Sequence, residues 1–269
     1  MEKKTSWGLH AKILVPSIWF LFVVSSLGAQ SIGVFDPKEK VSKEFTIGFG
    51  IYSAPSYEGA TEYTTRAAPF FNFKYHNILV NPINGVRANL ISWKNWSGGV
   101  GLGASFGRNT KQDNHLLGLG NIAGTLETIL FAKYKAHFYS INGALYTDVL
   151  QNGHEGSYLK ASLDTGFPII DIGTFVRPSL SMTFADKDYL DSFFGVSPTQ
   201  SISSGYPEYA LSHGLKDIAA NLLIIIKINN KMSLSSTLTY KKLMAKVATS
   251  PVVQKDDLFS GGISLNYRY

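Results

Sequence analysis

The chain has 269 residues, a formal net charge of +6, 45% hydrophobic and 16% charged residues, and no cysteine. Charge that sparse, against about 25% in ordinary soluble domains, does not suit a solvated globule, and the absence of any run of five like charges argues against a nucleic-acid partner. Without cysteine there are no disulfides and no thiolate metal sites, so burial and backbone pairing must hold the fold.

In chain order, Lys3, Lys4 and Lys12 come first, then an apolar run from Ile13 to Leu27 with Ser25, Ser26, Gly28 and Ala29 at its end. That is the order of a secretory signal peptide, and the run is interrupted by Pro16 and Ser17 and shorter than the ~20 apolar residues of a spanning helix. Cleavage after residue 29 would leave residues 30–269 as one domain. Its charge would be +4, because Glu2, Lys3, Lys4 and Lys12 leave together.

From residue 45 onward, apolar and polar residues alternate in segments of about ten, which is what a strand with one lipid face and one lumen face requires. Phe45, Ile47, Phe49 and Ile51 oppose Thr46, Gly48 and Gly50; Trp96, Val100, Leu102 and Ala104 oppose Ser97, Gly99, Gly101 and Gly103. Leu126, Leu130 and Tyr134 share a segment with Glu127, Lys133 and Lys135, and Ile141 and Leu145 face away from Asn142 and Asp148. Leu159 and Leu163 oppose Lys160 and Asp164, Ile172, Val176 and Leu180 oppose Asp171, Arg177 and Ser179, and Ile218, Leu222 and Ile226 oppose Asp217, Asn221 and Lys227. Met232, Leu234 and Leu238 alternate with Ser233, Ser235 and Thr237. The last segment ends in Tyr267 and Tyr269, candidate residues for recognition by a barrel-assembly machinery.

A soluble β-sandwich also alternates. The connections point instead to a transmembrane antiparallel β-barrel: short links at Lys94–Asn95, Ala136, Pro168 and Asn229–Asn230, and long polar ones over 53–64, 107–123, 150–156, 185–216 and 244–257. Eleven strands are clear, and parity asks for one more between Arg66 and Ser92, split at Asn81-Pro82-Ile83-Asn84-Gly85. Twelve strands are expected, with ten as the alternative because 77–82 is short for a crossing.

The charged residues expected to line the lumen are Glu127, Lys133, Asp148, Lys160, Asp164, Asp171, Arg177 and Lys227. Their mixed signs fit a narrow polar pore or a salt-bridged interior equally. His154 beside Glu155 and Ser157, and His213 after Ser212, have the residue types of a Ser/His hydrolase, but both read as solvated loop residues, since adjacency does not make a triad. Asp113 and His115 are too few for a metal, and Gly118-Leu119-Gly120 lacks the setting of a nucleotide fingerprint. No catalytic residue, cofactor or metal is expected.

Several segments resemble the MltA-interacting protein (MipA/OmpV) family of outer-membrane proteins. They are Ser53–Gly59 with Tyr57, Glu58 and Gly59; Gly107-Arg108; Leu117–Ile122 with Gly118 and Gly120; Gly153–Gly156; Phe193–Val196 with Phe194 and Gly195; Ser204–Tyr209 with Ser204, Gly205 and Tyr209; and Ser250–Val253. Asn121 departs from the aspartate common in the family. The resemblance implies a barrel among outer-membrane lipids that scaffolds a lytic transglycosylase and a murein synthase. A porin-like channel or a surface adhesin is the alternative it leaves, and an outer-membrane hydrolase a more distant one.

Overall fold

The computed structural model describes residues 43–169 and 173–269; the expected leader and Asp171 lie outside the described residues. Thirteen strand segments form one antiparallel sheet. They are β1 (Glu44–Pro55), β2 (Tyr63–Tyr75), β3 (Ile78–Asn81), β4 (Gly85–Trp93), β5 (Trp96–Ser105), β6 (Thr125–Lys135), β7 (Tyr139–Asp148), β8 (Ser157–Thr165), β9 (Phe167–Ile169), β10 (Thr174–Ala185), β11 (Gly214–Lys227), β12 (Met232–Leu243) and β13 (Asp257–Arg268). Neighbours in sequence pair, and β13 returns to β1 from Thr46↔Arg268 to Ser53↔Gly261, closing the sheet.

β8 and β9 are one crossing. Asp164 faces Ser179 and Phe167 faces Val176 in the same register, and the ladder breaks only over Thr165 and Gly166, where a Cβ on the glycine would lie 2.6 Å from the Phe175 ring. The barrel therefore has the twelve strands expected. The link expected at Pro168 falls further on: Pro168 pairs with Phe175 inside β9. β9 has no partner strand on its other side among the described residues, so a residue without an N–H is tolerated there.

The alternation maps onto the two faces. Phe49, Ile51, Leu130, Ile141, Leu180, Leu238 and Ile263 point outward and are exposed, whereas Ser97, Asn142, Ser181, Thr239 and Asn266 point inward and are buried. In water, such an outer surface would cost roughly 25 cal/mol per Å² of apolar area. Against hydrocarbon it is matched. Aromatic pairs band the short-turn rim, with Phe45 stacked on Tyr269 at 5.6 Å and Trp96 tilted against Tyr134 at 5.0 Å, and Tyr240 meets Phe259 at 5.0 Å near the other rim. Such girdles sit at membrane–water interfaces.

The long loops gather on the outer rim and fold over it. They carry helices α1 (Lys187–Phe194), α2 (Pro198–Ser204) and α3 (Ala245–Ala248), and short 3-10 turns at Thr110–Gln112 and Asn114–Leu116. Asp186 caps α1 by accepting from Tyr189 N–H, and Ser197 with Gln200 forms a capping box before Pro198 of α2.

One crossing is incomplete. β3 pairs with β2 only from Phe73 to Tyr75 and with β4 only from Gly85 to Ala88, then turns back at 82–84. Tyr63–Asn72 of β2 therefore pair with β1 on one edge and with no strand on the other among the described residues. Across the gap, Gly103–Ser105 of β5 pair only with β6.

Candidate functional site

The site begins with a β-bulge. Thr183 of β10 faces Asp217 while Phe184 faces Leu215, so Lys216 is the extra residue on β11. A bulge re-aims side chains. Here it turns both Lys216 and Asp217 inward, where they are 4% and 2% exposed. Strict alternation would have sent Lys216 into lipid.

Glu58 descends from the first loop to meet this pair. Lys216 Nζ donates to Glu58 Oε1 at 2.7 Å and Oε2 at 2.8 Å, and Lys241 Nζ of β12 donates to Oε1 at 2.7 Å. Lys216 also lies 2.8 Å from Asp217, which accepts from the Thr183 hydroxyl at 3.0 Å. Burial alone would raise the Glu58 carboxyl, but Lys216 and Lys241 outweigh it and hold it below the usual carboxylate range. The Tyr189 ring of α1 sits 5.8 Å from Lys216 Nζ. Lys160 of β8 faces the same charges with no carboxylate in ion-pair range among the described residues.

Beside this network, His154 is not the solvated loop residue expected. It is 1% exposed, its Nε2 lies 3.0 Å from Glu127, and its Nδ1 accepts from Gly156 N–H at 3.2 Å. Both ring nitrogens are engaged, and the Ser157 hydroxyl donates to Thr147 rather than to the histidine, so the pair joins strand to loop. Tyr158 donates to Glu127 at 3.4 Å and stacks on Tyr146 at 4.6 Å. Arg87 of β4, fully buried, donates through Nε to the Asn84 carbonyl at 3.2 Å and through Nη2 to Tyr146 at 2.8 Å, with the Phe131 ring 5.4 Å away.

The expected lumen residues fall into separate roles. Glu127 joins the histidine, and Asp164 accepts from Ser162 at 2.8 Å and from Asn142. Asp148 folds the loop after β7, accepting from Thr125 and from the N–H groups of Leu150, Gln151, Gly153 and Glu155. Lys133 is buried inside the wall, Arg177 is half-buried, and Lys227 is exposed at the end of β11. Of the described members of this set, Glu127 and Lys160 line an inward cavity, a space of about 310 Å³ reaching from the Glu58 network to the gap beside β2.

The cavity is roofed by the loops, and the segments that carry the family resemblance are the joints of that roof. Tyr57 donates to the Val252 carbonyl at 2.9 Å and packs with Leu116, Leu119, Val196 and Val252; burial pushes its hydroxyl pKa up. Gly59, at φ 109°, leaves its carbonyl to accept from Gln254 and Lys255. Gly118 and Gly120 have φ of 83° and 75°, and Gly205, at 79°, ends α2. Arg108 donates to the Phe193 carbonyl; burial pushes its pKa down to about 10, which keeps it charged at neutral pH. Phe194 is buried with its carbonyl accepting from Ser250, Gly195 N–H closes α1 on Asp191, Ser204 bonds back to Gln200, and Tyr209 donates to the Lys246 carbonyl at 2.7 Å. His115 and Asp113, the pair too small to hold a metal, are also joints: His115 Nε2 meets the Pro251 carbonyl at 2.9 Å, and Asp113 accepts from His115 N–H.

Lys216, Lys241 and Arg87 stand outside the lumen set expected from sequence. Lys241 and Arg87 are legible there, because each sits in phase with polar neighbours (Thr237 and Thr239, and Asn89). Lys216 is not, because the bulge that turns it has no sequence mark.

Among solved structures, the chain is similar to the NanC porin (8% identity, 82% of this chain and 98% of that one, TM-score 0.44). It is also similar to OprB of Pseudomonas putida (9%, 75% and 55%, 0.41) and to OmpF of Salmonella typhi (9%, 88% and 99%, 0.37). No curated protein matches it. The profile of the family described as MltA-interacting protein MipA matches residues 47–269, from the first strand of the barrel to the last and through every joint of the roof, and the chain belongs to that family.

Proposed function

We propose that this outer-membrane barrel is a non-enzymatic envelope protein that holds a lytic transglycosylase, and through it a murein synthase, at the inner face of the membrane. The observation that carries the reading is the family match over the whole barrel, whose description names such a partner. The roofed mouth agrees with it, since loops packed over the mouth suit an anchor better than an open pore. Among the described residues the inner-rim turns are short, at His76–Asn77, Lys94–Asn95, Ala136–Phe138 and Ile228–Lys231, so docking would fall to that rim and to residues 30–42. Affinity capture with the tagged chain from solubilised envelopes is expected to recover a lytic transglycosylase, and to lose it when 30–42 are deleted. Recovery of the barrel with no murein enzyme contradicts the proposal.

The cavity favours a second reading, a gated small-solute channel. Purified protein in planar bilayers distinguishes them: steady conductance steps in the intact chain support the channel, and their absence supports the anchor. Export through cleavage near residue 29, and recognition of Tyr267 and Tyr269 by the assembly machinery, complete the proposal. Tyr269→Ala is expected to lower the yield of folded barrel in the outer membrane, and an unchanged yield removes that role.

A further inference from the structure

We infer that the gap above the β3–β4 hairpin is a lateral port, through which an amphiphile with one anionic head and an apolar tail enters from the outer leaflet and docks its head at Lys160.

Three observations converge. The first is the wall. Among the described residues, ten residues of β2, Tyr63–Asn72, have no strand on their second edge, where a membrane barrel normally has one, because unpaired backbone groups facing lipid cost several kcal/mol each. Pro69, which brings no N–H, lies in that stretch, as it can on an edge. The hairpin turn is fixed low in the wall: Gly85 has φ 66°, and a Cβ there would lie 2.0 Å from the Leu102 carbonyl oxygen, so the hairpin packs directly on β5.

The second is the route. One cavity is lined by Thr64 and Arg66 of β2, Asn84 of the hairpin turn and Gly103–Ser105 of β5, and continues inward to Lys160, Lys216 and Lys241. Its volume of about 310 Å³ is at the lower end of the ~300–1,000 Å³ usual for small-molecule sites. Above it, the roof is sealed by two apolar clusters, one with Leu116, Leu119 and Val252 and the other with Leu190, Phe194 and Val247. Loops pack above the cavity, and the strand ladder is interrupted beside it among the described residues.

The third is charge. Lys160, Lys216 and Lys241 line the cavity with Glu58, Asp217 and Glu127; the first two carboxylates pair with Lys216 and Lys241 and Glu127 with His154, which leaves Lys160 without a carboxylate in ion-pair range among the described residues. Arg108, 4% exposed and lining the same cavity, has its Nε without a hydrogen-bond partner. Lys160 is half-buried and Arg108 buried, and a charge or polar atom drawn out of water without a partner is costly unless something supplies one. A carboxylate or phosphate monoester head would do so at Lys160, with its tail lying through the gap along β2.

The test uses the full barrel refolded in phosphatidylcholine nanodiscs, with a dansyl-labelled medium-chain fatty acid, its methyl ester and acetate as probes. The fatty acid is expected to bind saturably at one per barrel, with the ester and acetate at least about tenfold weaker, and K160Q is expected to weaken the acid to the level of the ester. A mid-chain diazirine on the acid is expected to crosslink to β2 between Tyr63 and Asn72 or to Gly103–Ser105. Equal binding of acetate, equal binding of the ester, no saturation, or crosslinks spread over the rest of the outer face each overturns the port. The probe series and crosslinking use the unaltered chain, so a folding defect in K160Q does not touch them. None of these readouts depends on a murein partner, so the result stands apart from the anchor reading.

Discussion

Glu58 leaves its own loop to meet lysines from two strands, and so ties the roof to the barrel wall. Removing one member of a buried ion network leaves its partners uncompensated, which costs about 3–5 kcal/mol when burial is complete. Glu58 keeps 23% side-chain exposure, so Glu58→Gln is expected to cost nearer ~2 kcal/mol, read as a lower melting point of the folded barrel. The pH dependence follows from its lowered pKa. Stability from this carboxylate is fully present above the unfolded glutamate value and is lost as pH falls through the lower folded value. Limited proteolysis of the outer loops is therefore expected to stay constant from neutrality down to the ordinary glutamate range and to rise progressively as pH falls through it and below. A rise beginning at about pH 6, above the ordinary glutamate range, contradicts the ion network. Gly118→Ala is a conformational test, because φ is 83° and a Cβ would lie 2.5 Å from the Ser203 carbonyl oxygen. The expected outcome is faster cleavage within 110–122 with the strands still intact.

At the scale of elements, the strands are legible in the sequence because period-two alternation is a direct image of lipid outside and polar lumen inside, and Phe45–Ile51 displays it without exception. The turn at Asn81–Gly85 is legible from its Asn, Pro and Gly, and with it the twelfth strand. That β3 is four residues long is hinted at by the brevity of 77–82, but the resulting gap depends on where β2 and β5 continue, which no local pattern records. Pro168 misleads because proline signals a turn wherever it stands, whereas here it occupies a strand edge. The roof is illegible for a different reason: Tyr57, Leu116, Val196 and Val252 come from four loops, and only the fold brings them together. Deleting residues 110–120 removes Leu116 and Leu119 from that cluster. This variant is expected to show conductance steps in planar bilayers where the intact chain shows none, and silence in both places the barrier below the roof.

For the whole molecule, an outward apolar surface with a buried polar interior is stable only when lipid replaces water around it, so the fold and its location stand or fall together. A closed β-barrel of this kind resists detergent until heated, and its compact form migrates differently from the unfolded chain. The decisive experiment is electrophoresis of the protein from purified outer membranes, with and without boiling. A shift in migration on boiling, with the protein recovered in the outer-membrane fraction, is the result expected here. Identical migration, with the protein in the soluble periplasm, would mean that the alternating strands pack against one another rather than against lipid, and would rule out a membrane-spanning barrel.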